Sequence, residues 1–299
     1  MSIETPAADP VSQLLARLDV PGPRYTSYPT ADRFVDTFGP EQYRRALELR
    51  AQQVAAGTAV PLSLYVHIPF CESICYYCAC NKVVTRHHER AGEYLEALKR
   101  EIDLHVAVLG RHQVLTQLHF GGGSPTFLSD DELARLMDVL RESFTIDADA
   151  ELSIEIDPRT VDEVRLRRLA QLGFGRLSFG VQDFDPEVQK AVHREQSFDS
   201  VRALIAQSRE IGFTSINTDL IYGLPRQTAT TFARTVAQIG ELRPDRIALY
   251  AYAHLPQRFP PQRRIQAHEL PSAGDRVHML RTAISGFQGQ GYTHIGMDH

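Results

Sequence analysis

The sequence has no excess of basic residues and no long apolar run, and both absences narrow the classes of protein it can belong to. Its 299 residues include 32 Lys and Arg against 37 Asp and Glu, a formal net charge of −5. The broad positive surface of a nucleic-acid-binding protein is therefore not expected. No run reaches the roughly 18 apolar residues of a membrane span, and the initial MSIETPAADP lacks the basic and apolar regions of a signal peptide. We expect a cytoplasmic protein that binds neither nucleic acid nor membranes.

Cysteine is also scarce, and all four cysteines fall between Cys71 and Cys80. A disulfide framework would spread its cysteines to join distant segments. Structural zinc sites usually combine two cysteine pairs separated by about a dozen residues, whereas the spacing here is C-x3-C-x2-C-x-C. Three thiolates from one loop can hold three irons of a [4Fe–4S] cluster, which leaves the fourth iron open to a ligand from outside the protein. The spacing favours a cluster, with a zinc site as the alternative.

A regular alternation of strand-like and helix-like segments begins at residue 61. It indicates βαβ units and a parallel sheet, here an α/β fold with a partial (β/α)6 barrel; a barrel of about 250 residues can form one domain. We assign residues 1–60 to an N-terminal arm with helices at 9–18 and 40–56, and residues 61–299 to the barrel. The strand-like runs are 63–70, 117–123, 151–157, 176–182, 215–223 and 246–252; the helical stretches are 88–109, 129–144, 160–173, 198–211, 229–242 and 272–290; a seventh apolar run covers 292–296.

Chemically useful side chains follow the ends of these strands, where the active sites of parallel barrels form. The glycine triplet 121–123 ends the second strand-like run, either as a tight turn or to let the backbone approach a cofactor closely. Glu155 lies between two isoleucines and Asp219 lies in a similar apolar run, so both carboxylates are expected in the barrel mouth. A buried carboxylate needs a partner. The partner would be a ribose hydroxyl or an ammonium group of a ligand, or else an arginine.

Other polar residues have ordinary structural interpretations. Asp157 precedes Pro158 and is expected to start a helix. Arg194 lies in a polar break between helices and, judged alone, is expected to be solvated like most arginines. His67 and His119 fall within strands and are expected to be core residues rather than metal ligands. No general acid or base stands out, so no catalytic residue is assigned beyond the cluster ligands.

The segment CESICYYC at 71–78 resembles the C-x3-C-x2-C signature of radical S-adenosylmethionine enzymes. Its surroundings, YVHIPFCESICYYCACNK at 65–82, are similar to the oxygen-independent coproporphyrinogen III oxidase family. A group of haem chaperones on the same scaffold usually lacks Cys80 and the PRYTSYPTA segment, so the resemblance to the oxidases is the stronger one. Further segments that resemble the family are PRYTSYPTA (23–31), LHFGGGSPT (118–126), SIEIDPR (153–159), GVQDF (180–184), DLIYGLP (219–225) and YAHLP (252–256).

The resemblance implies roles for individual residues. Cys71, Cys75 and Cys78 would bind the cluster, and Cys80 would not. Ser124 replaces the more usual threonine and keeps the hydroxyl group. For the substrate's propionates, Arg194, Arg258 and Arg263 are candidates. The residues implied to contact S-adenosylmethionine, of which the family uses two molecules, are Tyr65, Tyr77, Gly122, Gly123, Ser124, Glu155, Gln182, Arg194, Asp219 and Ala253.

The reaction that the resemblance implies converts two propionate side chains of coproporphyrinogen III to vinyl groups, giving protoporphyrinogen IX in haem biosynthesis. A reduced cluster would cleave S-adenosylmethionine to a 5′-deoxyadenosyl radical that starts each decarboxylation. The resemblance also implies an unnamed electron donor and a monomer. Family members continue beyond residue 299 with a further barrel segment and a helical C-terminal domain, which we expect to be absent from this chain. The alternatives are a haem-binding protein and a catalytically silent, truncated chain.

Overall fold

A parallel six-stranded sheet forms the centre of the structure, a computed structural model that describes residue 30 and residues 33–296. The strands of this sheet, numbered along the chain, are β1 Leu62–Ile68, β4 Gln113–Gly122, β5 Phe144–Ile156, β6 Arg176–Gln182, β7 Ser215–Tyr222 and β8 Arg246–Ala251. They follow one another in chain order, with β1 and β8 at the two edges, so the described residues form an open, partial barrel. A second, two-stranded sheet pairs β2 Phe70–Cys71 in parallel with β3 Val83–Val84.

Helices connect the successive strands, and capping residues fix where several of them begin and end. The α-helices of the described residues are α1 Pro40–Ala55, α2 Glu89–Leu109, α3 Asp130–Ser143, α4 Glu163–Gln171, α5 Pro186–Ala191, α6 Phe198–Ile211, α7 Ala229–Leu242 and α8 Ala273–Gly289. At the start of α3, the Ser129 hydroxyl accepts a bond of 3.2 Å from the Glu132 backbone N–H, and the Glu132 carboxylate accepts one of 2.8 Å in return. At the end of α6, Gly212 adopts a φ of 108°, which costs glycine little.

The hydrophobic core lies between the convex face of the sheet and the helices. Because side chains alternate along a strand, each central strand buries every second residue in this core. Leu118, Ile154 and Leu220 are fully buried members of it. Their strand neighbours Glu155 and Asp219 instead line a cavity on the concave face. One alternation therefore supplies both the stabilising core and the polar concave surface.

The predicted alternation of strands and helices is confirmed, and most predicted helices match within a few residues. The structure adds β2, β3 and the short α5, which the sequence analysis did not predict, and β5 begins earlier than expected, at Phe144. The apolar run 292–296 forms no strand; Tyr292 packs against the core, and its hydroxyl donates to the Pro244 carbonyl at 2.6 Å.

Some predictions concern the N-terminal part of the chain. The predicted helix at 9–18 lies outside the described residues, as does PRYTSYPTA except for Thr30. The predicted helix at 40–56 corresponds to α1. Within the described part of the chain, no helix combines the length and the apolar character needed to cross a bilayer.

We expect Leu118→Ala to lower the free energy of unfolding by about 2–5 kcal/mol, because truncation of this β4 side chain leaves a cavity behind the sheet. Leu118 is 0% exposed, whereas Leu104 in α2 is 71% exposed, so Leu104→Ala is a matched control that should cost less than about 0.5 kcal/mol. Denaturant unfolding followed by circular dichroism measures both values. Equal effects of the two substitutions would contradict this placement of the core.

Candidate functional site

A cavity of about 850 Å³ opens on the concave side of the sheet, at the carboxyl ends of its strands. It lies between the 71–82 loop, called the cluster loop below, and the residues that end β4 to β8. Arg258 and Arg263, the other propionate candidates, do not line it, and neither does Tyr65. The remaining residues predicted to bind the cluster or S-adenosylmethionine all line it: Cys71, Cys75, Tyr77, Cys78, Gly122, Gly123, Ser124, Glu155, Gln182, Arg194, Asp219 and Ala253. Residues that are more than a hundred positions apart in sequence therefore meet in one space.

The cluster loop is held by backbone hydrogen bonds to neighbouring segments and by a side-chain bond within the loop. At its start, the Cys71 carbonyl accepts a bond of 2.9 Å from the Thr85 backbone N–H, within the small β2–β3 sheet. In the middle, the Tyr76 backbone N–H donates to the Val192 carbonyl, also at 2.9 Å. Within the loop, the Lys82 ammonium donates to the Cys78 carbonyl at 2.9 Å. The positions of the cysteines are thus set by the barrel rather than by the loop alone.

Gln262 is a further anchor of the cluster loop, and the sequence analysis missed it. It is 1% exposed and lies in the short helical turn Pro260–Arg264. Its side-chain amide donates to the carbonyls of Tyr77, at 2.9 Å, and of Ala253, at 3.1 Å. It thereby joins the loop to the segment after β8. A single glutamine between proline and arginine carries no motif that would have indicated this role.

The four thiols differ in their surroundings. Burial, followed by the nearby Cys78, raises the pKa of the Cys71 thiol to about 11. A hydrogen bond with Cys80 lowers the pKa of the Cys78 thiol to about 6, and the same interaction raises the pKa of Cys80. Cys78 and Cys80 thus share one hydrogen bond, and the negative form of the pair is placed on Cys78 beside the Lys82 ammonium.

The arrangement of the cysteines also bears on the choice between a cluster and zinc. Among residues 30 and 33–296, no three or more His, Cys, Asp or Glu side chains are arranged to hold a single metal ion. Cys71, Cys75 and Cys78 nevertheless line one cavity. Three thiols of one loop beside an open cavity match the chemistry of a [4Fe–4S] cluster, which would take three thiolates from the protein and leave one iron open.

The glycine triplet packs against the start of the cluster loop. A Cβ on Gly123 would lie 2.6 Å from the Phe70 carbonyl oxygen, and one on Gly121 would lie 2.8 Å from Glu155 Oε1. Gly122 has a φ of +119°, where any L side chain is strained. The tight-turn interpretation thus explains the glycines, and it also leaves the backbone of Gly122 and Gly123 exposed to the cavity.

The two carboxylates of the concave face have hydrogen-bond partners, but these are not arginines. Glu155 accepts a bond of 3.0 Å from the Gly122 backbone N–H. Asp219 accepts bonds from the Ser178 hydroxyl, at 3.0 Å, and from the Asn217 amide, at 2.9 Å. Burial, followed by the negative charge of Glu155, raises the pKa of Asp219 to about 6. Within the described residues, the arginine ion pair weighed for these carboxylates is not formed.

Arg194 is buried, so the expectation of a solvated side chain is wrong. It is 7% exposed, and its guanidinium donates to the Gly180 carbonyl, with Nε at 3.1 Å. The same group lies 3.2 Å from Asp157 Oδ2 and 3.4 Å from the Cys75 sulfur. A polar break between helices gave no sign of this, because the contacts come from strands and loops distant in sequence.

Asp157 does more than start a helix. It caps the helical turn Pro158–Thr160 by accepting from the Arg159 backbone N–H, as expected, but it also binds the side chains of Arg159 and Arg194. Burial would raise the pKa of the Asp157 carboxyl, but the hydrogen bond from Arg159 and the charge of Arg194 hold it below its usual range.

His67 and His119 lie within strands as expected, but neither is a core residue. Both are only partly buried. His119 bonds the Ser153 hydroxyl at 2.7 Å, and His67 bonds the Tyr65 hydroxyl at 3.0 Å. Tyr65 is 53% exposed, stacks on His119 and does not line the cavity. Its contact with S-adenosylmethionine stays a prediction.

A family model of the radical SAM superfamily matches residues 65–239, more than half of the chain. The chain belongs to the radical SAM superfamily. Its fold and the loop with three cysteines agree with this assignment, and the superfamily's cofactors are a [4Fe–4S] cluster and S-adenosylmethionine.

The radical SAM chain is similar to enzymes named oxygen-independent coproporphyrinogen III oxidase. That of Pseudomonas aeruginosa is 50% identical over 96% of this chain and 62% of its own length, and that of Escherichia coli is 50% identical over 96% and 61%. A solved structure of the Escherichia coli coproporphyrinogen III oxidase, described as a radical SAM enzyme, matches with a TM-score of 0.86 and 47% identity, covering 92% of this chain and 61% of that one. The chain thus spans about three fifths of the length of these relatives.

We expect Gly123→Ala to destabilise this radical SAM chain by about 1–3 kcal/mol and to reduce its iron content after anaerobic reconstitution. The reason is the 2.6 Å contact that a Cβ would make with the Phe70 carbonyl, where the cluster loop begins. Gly92→Ala in α2 is the matched control: its Cβ meets nothing within 4 Å, and alanine should add up to about 1 kcal/mol. Denaturant unfolding and iron analysis decide. A stable Gly123→Ala variant with full iron content would contradict the packing described here.

We expect the free energy of unfolding of Asp219→Asn, relative to that of the natural chain, to increase as the pH rises. The pKa of Asp219 is raised from 3.8 to about 6 in the folded chain, so the folded state binds a proton on this carboxyl more tightly than the unfolded state does. The protonated carboxyl therefore contributes stability that is fully present below pH 3.8 and is lost as the pH rises past about 6. Between pH 4 and pH 7 the free energy of unfolding of the variant should gain roughly 2–3 kcal/mol on the natural chain.

Chemical denaturation of the iron-free chain at both pH values measures this difference. Asp138→Asn is the control, because the Asp138 side chain is 68% exposed on α3 and should give no comparable gain. A difference between Asp219→Asn and the natural chain that stays constant with pH would rule out the described environment of Asp219.

Proposed function

We propose that this chain carries out the anaerobic oxidative decarboxylation of two propionate side chains of coproporphyrinogen III, giving protoporphyrinogen IX. The observation that carries the proposal is 50% identity, over 96% of the chain, to enzymes named for this activity. The cavity at the strand ends supports it, because the three cysteines and the polar residues of five strands meet there. When bound, the cluster and S-adenosylmethionine supply a 5′-deoxyadenosyl radical that can remove a hydrogen atom from a propionate.

The protein residues have distinct parts in this proposal. Cys71, Cys75 and Cys78 hold the cluster through their thiolates and leave one iron open. Glu155 and Asp219 present carboxylate oxygens to the cavity, where a ribose hydroxyl or an ammonium group would meet them. Ser124 offers a hydroxyl and the Gly122–Gly123 turn offers backbone groups on the cluster side. The cavity of about 850 Å³ lies within the range of small-molecule sites, roughly 300–1,000 Å³.

Positioning is the main task of the protein in this chemistry. A radical that forms beside its target reacts with it, whereas one that diffuses reacts elsewhere, so the cage must fix both groups and exclude water. The anchors of the cluster loop at Val192 and Gln262 supply that rigidity on the described side of the cavity. No side chain is assigned to proton transfer.

The reaction also needs an electron donor for the cluster and side chains that bind the propionates of the substrate. As the family resemblance implies, we infer an external electron donor. Arg194 is already bound to Asp157 and Gly180, which makes it a poor candidate for a propionate. Arg258 and Arg263 stay candidates for binding the propionates. The proposal also includes two bound S-adenosylmethionine molecules and a monomeric protein.

The test is anaerobic reconstitution of the 299-residue chain with iron and sulfide, followed by reduction with dithionite and addition of S-adenosylmethionine. We expect 5′-deoxyadenosine to form, and vinyl product to form from coproporphyrinogen III, as measured by mass spectrometry. Cleavage without decarboxylation would limit the chain to the radical-forming half of the activity. Haem binding without cleavage would instead support the haem-binding alternative.

Cysteine variants test the ligand assignment within the same assay. We expect Cys78→Ala to lose most of the cluster absorbance and iron, because a thiolate ligand is removed. Cys80→Ala removes a thiol two positions away and should retain both, which makes it the matched control. Iron and sulfide analysis with visible spectroscopy measures the result. Loss of the cluster in Cys80→Ala but not in Cys78→Ala would reverse the assignment.

A further inference from the structure

Asp157 and Arg159 form an ion pair directly after β5, and the sequence analysis assigned this pair no role. Arg159 folds back on Asp157, with Nε at 2.9 Å from Oδ1 and Nη2 at 2.6 Å from Oδ2. The Arg159 backbone N–H also donates to Oδ1 at 3.1 Å. Two parallel bonds between a guanidinium and a carboxylate give a geometry that a single contact cannot hold. The direction of the Arg159 side chain is therefore fixed.

The same carboxylate also binds Arg194, so two positive groups share one negative group. Arg194 Nη1 lies 3.2 Å from Asp157 Oδ2. The side chains of Asp157 and Arg194 are 9% and 8% exposed, and that of Arg159 is 21% exposed. One positive charge is left over in a poorly solvated place, and such a charge is costly without a further anion.

The Cys75 sulfur is placed to be that anion. Arg159 Nη2 lies 3.6 Å from it and Arg194 Nη1 lies 3.4 Å from it, both within hydrogen-bonding distance of a sulfur acceptor. Cys75 is itself 8% exposed. The other two predicted ligands have different neighbours, Ser124 beside Cys71 and Cys80 with Lys82 beside Cys78. Cys75 is thus distinguished by contact with two guanidinium groups.

We propose that Asp157 positions Arg159 so that its guanidinium hydrogen-bonds the Cys75 thiolate and raises the reduction potential of the cluster. Reduction adds one electron, hence one negative charge, to the cluster. A hydrogen bond and a positive charge at a ligand sulfur stabilise that reduced form more than the oxidised form. The inference rests on the proposed function, in which Cys75 is a cluster ligand.

The test is an anaerobic redox titration of the reconstituted chain, monitored by electron paramagnetic resonance, without S-adenosylmethionine or substrate. In Arg159→Met, we expect the ratio of reduced to oxidised cluster at a fixed potential to fall about tenfold, equivalent to about 59 mV for one electron. Arg159→Lys keeps the charge but loses the paired bonds to Asp157, so an intermediate shift is expected. Arg167→Met is the matched control, because Arg167 also pairs with a carboxylate, Glu163, but on the exposed surface of α4.

The outcomes separate this inference from the proposed function. If the natural chain holds no cluster, the proposed function fails first. If it holds one and the midpoint potential of Arg159→Met equals that of the natural chain and of Arg167→Met, the inference alone is wrong. If Arg159→Met retains no iron, the midpoint potential of Arg159→Lys, measured by the same titration, tests the inference instead. Loss of iron in both variants would also contradict the proposal, because it would assign Arg159 to cluster assembly rather than to its potential.

Discussion

The common direction of the six strands is the constraint on which the site depends. Parallel strands end at the same edge of a sheet, so residues that follow different strands must meet there. Cys71, Gly123, Glu155 and Asp219 come from four separate βαβ units and line one cavity for this reason. The helices between the strands supply the core that holds this edge in place. Sequence separation is therefore no guide to spatial separation in this chain.

The second requirement is that a short loop should hold its cysteines in fixed positions. The cluster loop has little regular structure of its own, and it gains order from bonds to the loop before α6 and to Gln262. The same loop before α6 carries Arg194 into contact with Cys75. The loop before α6 thus determines both the position of the cluster loop and the positive charge beside Cys75. A substitution in the loop before α6 should therefore affect both features.

Much of the fold and part of the site could be predicted from the sequence, for identifiable physical reasons. Amphipathic helical periodicity predicted α6 and α7 at their observed bounds, Phe198–Ile211 and Ala229–Leu242. In the structure, Ser197 and Thr228 cap these two helices. Glu155 stood out because a carboxylate between isoleucines must leave the core. Arg194 and Gln262 were not recognisable, since their burial depends on contacts with residues far away in the chain. Asp157 showed only its local role as a cap, because its pairing with Arg194 is a tertiary contact.

The chemistry proposed here needs a cluster with three cysteine ligands and one iron left open. Mössbauer spectroscopy of the chain reconstituted with iron-57, before and after addition of S-adenosylmethionine, tests this most directly. We expect the signal of about a quarter of the iron to change, because one iron of four lacks a thiolate and can bind the added molecule. A spectrum that S-adenosylmethionine leaves unchanged, although the molecule binds, would show that every iron already has a protein ligand and would contradict the proposal.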